Sequence, residues 1–308
     1  MKELKYIFSS VFFFVSLIFN ASAQSYEITI QISNQPDNKI VLGSVKGDDF
    51  IAIDSTEVVN STIKFQLPSS APIGVYRIIL GQTAYAKVMD KAPQQLDFIY
   101  KNEDVHLETD FNDPLAKLNV VQSEENRIWY DFIEKEKILK EELQLMEKEV
   151  DYFWAKKDTS NATMKANEFN QLQMDRESFI KQAVNNASGT YAAELIKMYS
   201  EPFRDGYLSA EQRDDDFKAN YFNGLDFSNE ALINSSAYSD KVFNYLVFCN
   251  DKEFTPEQRE AEYEKAIDKI VANTNQNEKV HKFILDYMVD GFEQLKMDKL
   301  IAYIEDRY

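Results

Sequence analysis

The sequence predicts an α+β chain in two parts: an N-terminal antiparallel β-sandwich or partly open barrel, then an all-α helical bundle or irregular helical array. Three observations carry that reading. Apolar residues recur with a period of two from Ser25 to about Asn112. From Ser123 onward they recur in steps of three and four. No helical pattern separates the β stretches, so βαβ units are excluded and segregated layers favoured. The division runs 1–23 for an export signal, 24–112 for the β part and 123–308 for the helical part, joined around residues 112–122.

The opening residues set the expected compartment. Lys2 and Lys5 form a short basic region, Ile7 to Phe19 an apolar run, and Ala21-Ser22-Ala23 the small residues of a cleavage site, so processing is expected after Ala23. A helix needs about 20 residues to cross a bilayer, and this run is shorter. No cysteine stands near the cut for lipid attachment. The expected product is free in the periplasm or secreted, without a stable membrane anchor. Its acidity, a formal −18 for the whole chain, argues against nucleic acid, where cations must neutralise phosphates.

The β part follows in order. SYEITIQIS places Tyr26, Ile28, Ile30 and Ile32 on one face, with Glu27, Thr29 and Gln31 on the other. KIVLGSV, DFIAIDSTEV, STIKFQL, GVYRIILG, QLDFIYK and DVHLETDF complete about seven strands. Turn residues punctuate them: Asn34 to Asn38, Gly47-Asp48-Asp49, Asn60-Ser61, Pro68 to Gly74 and Asn102 to Asp104. Tyr85 to Pro93 is the least strand-like stretch and reads as a loop crossing one end.

In 123–157, Phe132, Leu139, Leu143, Met146, Val150 and Phe153 form a narrow seam of coiled-coil type. DTSNAT breaks it, and Phe169, Leu172, Phe179, Ala183 and Val184 mark a second helix, an antiparallel hairpin with the first. Ser209 with Gln212, and Thr255 with Gln258, each place a hydroxyl at N-cap and Gln at N3, the capping-box pattern; Pro256 adds a proline at N1. LSAEQRDDDF and FTPEQREAEY look like degenerate copies of one start, consistent with a duplicated helix pair. Val280, Phe283, Ile284, Tyr287, Met288, Phe292 and Leu295 make the broadest apolar stripe. A last amphipathic element runs from Met297 to Tyr308.

Recognisable catalytic machinery is missing from this pattern. His106 and His281 stand without a nearby cysteine or a G-x-S-x-G elbow, and no paired histidine spacing suits a transition metal. Asp214-Asp215-Asp216 point about 100° apart on a helix, so they read as a solvated face. Eight glycines form no phosphate-cradling loop. Cys249 is the single cysteine and reads as a buried, inert thiol. Tyr191, Tyr199, Phe203, Tyr207, Phe217, Tyr221, Phe222 and Phe227 concentrate around Pro202, Gly206 and Gly224. They read either as the core of short irregular helices or as a concave aromatic surface for a peptide or glycan.

The order of parts resembles the thiol-disulfide oxidoreductase-like (thioredoxin/peroxiredoxin-fold) envelope proteins of Gram-negative bacteria. DFIAIDSTEVVNSTIKFQL, PIGVYRIIL and the closing NEKVHKFILDYMVDGFEQLKMDKLIAYIEDRY carry the resemblance. It implies a signal peptide, an N-terminal β domain and a helical middle region ahead of a thioredoxin-like domain that holds the catalytic cysteines. This sequence has no counterpart of those cysteines, so either a natural short relative or a truncated form is implied, and no catalytic residue is carried over.

The expected function is therefore a non-enzymatic binding or accessory module of the envelope, with no cofactor and a protein partner, a thioredoxin-like protein among the candidates. The alternatives are a redox component acting with such a partner or through Cys249, and a scaffold in a larger surface complex. Because the family's next domain would abut the last helix, Leu300, Ile301, Ile304 and Tyr308 are the expected docking residues.

Overall fold

The structure, a computed structural model, describes residues 24–37 and 39–308. The export signal read at 1–23 lies outside them. Among the described residues no helix is long and apolar enough to cross a membrane.

Eight strands form two four-stranded sheets. They are β1 (Ser25–Ser33), β2 (Lys39–Lys46), β3 (Asp49–Glu57), β4 (Thr62–Pro68), β5 (Gly74–Gly81), β6 (Gln94–Tyr100), β7 (Val105–Asp110) and β8 (Asn119–Gln122). The first sheet has the order β4-β1-β7-β8 and the second β3-β2-β5-β6. Every pairing is antiparallel except β1 with β7, which run parallel. The alternation in SYEITIQIS sends Ile28, Ile30 and Ile32 inward, where they meet Ile78, Leu80 and Phe98 of the facing sheet. All seven strands expected from the period-two pattern are present. The stretch expected to connect the two parts supplies an eighth, too short for its alternation to show. Tyr85 to Pro93 begins as a short helix, α1 (Ala84–Val88), capped by Thr83.

The helical part contains α2 (Glu124–Ala155), α3 (Thr159–Asn186), α4 (Tyr191–Lys197), α5 (Ala210–Asn220), a 3-10 turn at Glu230–Asn234, α6 (Ala237–Cys249), α7 (Pro256–Asn273), α8 (Glu278–Gln294) and α9 (Asp298–Arg307). Helices α2 and α3 form the expected antiparallel hairpin. Phe132 stacks on Phe179 near its open end, and Lys165 bridges to Glu149 near the turn. Both capping boxes form, each with the hydroxyl accepting from the N3 backbone and the glutamine side chain returning to the N-cap N–H. The two related starts nevertheless open helices of different length.

The two parts touch along the outer face of the second sheet. Ile99 of β6 is buried within the helical core, and Ile73 and Val75 pack against that core. The Gly47 N–H donates to Ser235 O at 3.0 Å, and Tyr287 donates its hydroxyl to Asp48 at 2.8 Å. Gly47 sits at φ +59° with the Phe283 ring 2.9 Å from where a Cβ would be, so the tight β2–β3 turn against α8 needs glycine there.

The edge of β6 is closed by a side chain. Asn126, in the first turn of α2, accepts the Ile99 N–H and donates to the Ile99 carbonyl, both at 2.8 Å. A strand edge left open inside a protein would bury unpaired donors and acceptors, and one amide here satisfies both. Glu125 beside it accepts the N–H groups of Tyr191 and Ala192 at 3.1 and 2.8 Å, which fixes the start of α4.

Candidate functional site

The apolar face of the final helix is covered by the same chain. Leu300 and Ile304 are buried in the helical core, and Ile301 packs against it. The chain reverses at Lys296, in the left-handed region at φ +57°, and α9 folds back onto α7 and α8, so the apolar stripe finds cover within the same chain. Of the four residues expected to dock a partner, Tyr308 alone is classed as exposed, and its hydroxyl donates to Asp268 at 2.8 Å.

Cys249 is also buried. Burial pushes its thiol above the ordinary value against an opposing hydrogen bond from Tyr245, which keeps it a neutral, weakly nucleophilic group. His106 and His281 each hold one buried ring nitrogen without a partner and stand on separate elements. Asp214 pairs with Arg204 at 2.6 Å, while Asp215 and Asp216 are exposed. Among the described residues no group of three or more His, Cys, Asp or Glu side chains is placed to hold a metal ion.

The aromatic concentration divides in two. Tyr191, Phe222 and Phe227 are core residues. Tyr199, Phe217 and Tyr221 line a cavity of about 460 Å3 between the second sheet and the helices. Phe203 and Phe217 line a neighbouring cavity of about 740 Å3 against the α2–α3 hairpin. Tyr207 faces solvent and bonds to Asn167. Lys140, Glu201, Phe217 and Phe248 border both cavities, so the two adjoin as one long cleft.

Each wall of this cleft comes from a different element. The sheet supplies Val75 and Asp97, the latter held by Arg77 at 2.7 Å. Helix α2 supplies Trp129 and Lys140, and α6 supplies Asp240 and Lys241. Short irregular chain after α4 supplies Tyr199 and Glu201. Aromatic packing stiffens the wall: Trp129 meets Tyr199 edge-on at 5.8 Å, and Arg204 lies 5.0 Å from the Phe217 ring.

Charges in the cleft are tightly arranged. Arg176 is buried, donates from Nε to both Glu136 carboxylate oxygens at 3.0 and 3.1 Å, and reaches Glu201 at 3.0 Å. Burial raises the Glu201 carboxyl, but Arg176, Lys140 and Lys241 outweigh it and hold its pKa below the usual range. Burial pushes the Asp240 carboxyl up, opposed by the Ser236 hydroxyl that donates to it at 2.7 Å.

Lys241 is the least satisfied of these groups. Its ammonium carries three donors and gives one to Ser200 O at 3.0 Å. Among the described residues no carboxylate oxygen lies within 4.0 Å of it. Burial drives its pKa down to about 8, partly countered by Glu201.

The sign of the resulting pH dependence follows. Below about pH 8 Lys241 is charged in the folded and the unfolded chain, so the full cost of burying the charge is felt. Between about 8 and 10.5 the unfolded chain binds more protons, and the contribution of Lys241 to stability rises with pH. Lys241→Met is therefore expected to be more stable than the wild type at pH 7, with the gap closing as pH approaches 10.5. Urea midpoints of both proteins across that range test this; a gap that does not change with pH would show that burial does not depress Lys241.

None of Lys241, Glu201, Arg176 and Glu136 stands out in the sequence. Charged residues on amphipathic helices read as solvent-facing, and the Glu136–Arg176 partners lie 40 residues apart. The one signal pointing here was the aromatic density from Tyr191 to Phe227.

The fold and cleft define a two-sheet β domain whose outer face forms a cleft with the helices that follow it. Residues 26–129 match the family model described as a domain of unknown function, DUF4369, about a third of the chain. The match takes in all eight strands, save Ser25 at the start of β1, and the first turns of α2, including Asn126 and Trp129. No curated protein and no solved structure matches the chain.

Proposed function

We propose that this protein is an exported, non-catalytic binding module of the bacterial envelope that receives an extended peptide segment of a protein partner in the cleft. The observation that carries the reading is Lys241, a buried ammonium with a single protein acceptor, set in a wall of aromatic rings. A peptide supplies what that wall lacks, namely carbonyl or carboxylate acceptors for the ammonium and side chains for Trp129, Tyr199 and Tyr221. Charges of both signs along the cleft suit a chain with polar groups at intervals along its length. The export reading rests on Lys2, Lys5, the run Ile7 to Phe19 and Ala21-Ser22-Ala23. The resemblance of the β part and closing helices to envelope thiol-disulfide oxidoreductases supports the same compartment.

Trp129 gives the test its readout. Titrating the Gln24–Tyr308 chain, with Trp154 replaced by Phe so that Trp129 is its only tryptophan, with a library of short extended peptides is expected to change tryptophan emission saturably, and Lys241→Met to weaken that response about tenfold, as loss of a charged hydrogen bond does. Peptides that leave emission unchanged, or that bind Lys241→Met as well as the wild type, would remove the cleft from the reading. The redox alternative has its own signature, an insulin-reduction turnover abolished by Cys249→Ser; the buried thiol with its raised pKa weighs against it.

A further inference from the structure

The α2–α3 hairpin carries a second concave surface, which shares Met174 and Phe203 with the far end of the cleft but none of the residues around Lys241. It is an open groove of about 1020 Å3. On α2, Glu142, Leu145, Met146 and Glu149 stand at i, i+3, i+4 and i+7, which places them on one face. On α3, Glu168, Gln171, Leu172 and Asp175 repeat the spacing. Each helix thus offers a central apolar side chain or pair, Leu145 with Met146 on α2 and Leu172 beside Gln171 on α3, between two carboxylates about 10 Å apart along its axis. Met174 and Phe203 extend the apolar floor.

Leu145, Met174 and Phe203 are 64%, 51% and 49% exposed, an unusual concentration of large apolar side chains in one groove. Two antiparallel helices with a vacant apolar seam leave room for a third, packed as in a three-helix bundle.

We propose that this groove docks a basic amphipathic helix of a partner protein, with leucine- or methionine-type anchors between Leu145 and Leu172 and lysines or arginines against the carboxylate rim. Charge selects that occupant. The groove is lined by four carboxylates and no cation. Lys165, just outside it, bridges Glu149 and Glu168 at 2.9 Å each, while Glu142 and Asp175 have no cation within 4.0 Å among the described residues. Asp175 accepts only the neutral Gln171 amide. A second copy of this chain would bring the same acidic rim against itself, and an anionic membrane would be repelled, so neither fits as well. The flexible methionine side chains suit a helix held by shape and charge together.

The probe is a synthetic peptide of about 18 residues, some 27 Å as a helix, with a leucine stripe flanked by lysines. Its control keeps the stripe and replaces the lysines by glutamates. The lysine peptide is expected to bind the Gln24–Tyr308 chain saturably and more weakly as salt rises. Glu142→Lys with Asp175→Lys should weaken it about tenfold or more and admit the glutamate peptide. Leu145→Asn should weaken both pairings, whereas the same double reversal at the exposed Glu305 and Asp306 of α9 should leave affinity unchanged. Glu142, Leu145 and Asp175 are exposed, so these variants keep the fold, and circular dichroism verifies it. An affinity indifferent to the reversal at Glu142 and Asp175, or lowered equally by the reversal on α9, would overturn the proposal. So would a concentration-dependent dimer abolished by Leu145→Asn, which would assign the groove to a second copy. With Trp154, the second tryptophan of α2, replaced by Phe, Trp129 emission reports the other cleft, so failure at one surface is distinguishable from failure at the other.

Discussion

Glu136→Ala is expected to destabilise the protein by about 3 kcal/mol, the low end of the range for breaking a buried ion pair. The carboxylate and the Arg176 guanidinium are 2% and 5% exposed, so removing one leaves the other charged in a dry site. Glu201 at 3.0 Å and Tyr199 O at 3.0 Å keep the stranded guanidinium partly satisfied, which is why the low end applies. Arg176→Met should cost at least as much, since it strands Glu136 and also loosens the irregular chain that carries Tyr199 and Glu201 into the cleft. The double variant Glu136→Met with Arg176→Met should be milder than the sum of the singles, because an apolar pair leaves no uncompensated charge. Urea unfolding of the four proteins measures this. Singles that fall within about 1 kcal/mol of the wild type would mean that the pair is hydrated in solution.

Asn126→Leu is the second large effect. Its amide is the only partner of the outward Ile99 N–H and carbonyl among the described residues, and Asn126 itself is fully buried. Replacing it by a leucine of similar size leaves a buried donor and a buried acceptor unmatched, each costing about 1–3 kcal/mol, so a loss of about 3 kcal/mol is expected. The same change frees the edge of β6 from α2. Hydrogen exchange at Ile99 should accelerate, and proteolysis between β8 and α2 should begin before global unfolding. Unchanged exchange at Ile99 in Asn126→Leu would show that packing of Ile99 alone holds the edge.

Much of the fold was legible because it depends on local periodicity. Seven strands, the hairpin and both capping boxes follow from residues within a few positions of one another, where side-chain direction is set by the backbone repeat. The four-residue β8 escaped, since NVVQ is too short to show a period and pairs only because β7 offers an edge. The parallel pairing of β1 with β7 was equally hidden, as it joins residues more than 70 positions apart.

The candidate site was far less legible. The aromatic density near Tyr199 coincides with the cleft, but does not separate Tyr191, Phe222 and Phe227, which fill the core, from Tyr199 and Phe217, which line the cleft, or from Tyr221, which does both. The apolar stripe of the last helix is legible in the sequence, but what covers it is not. Whether such a stripe is covered depends on where the chain turns, and the left-handed backbone at Lys296 decides that.

The two-part α+β order, the inward faces of the strands and the helix starts can all be read from the amino-acid order alone. These are properties of short windows, in which hydrophobic period and capping chemistry act independently of distant residues. Only the tertiary structure decided that Asn126 closes a sheet edge, that Arg176 and Glu136 meet inside the protein, that Lys241 is a charge held in a cleft, and that α2 and α3 leave an acid-rimmed groove. Each of these depends on residues brought together from different elements, and burial, which sets the cost of an unpaired charge or amide, exists only once they have met.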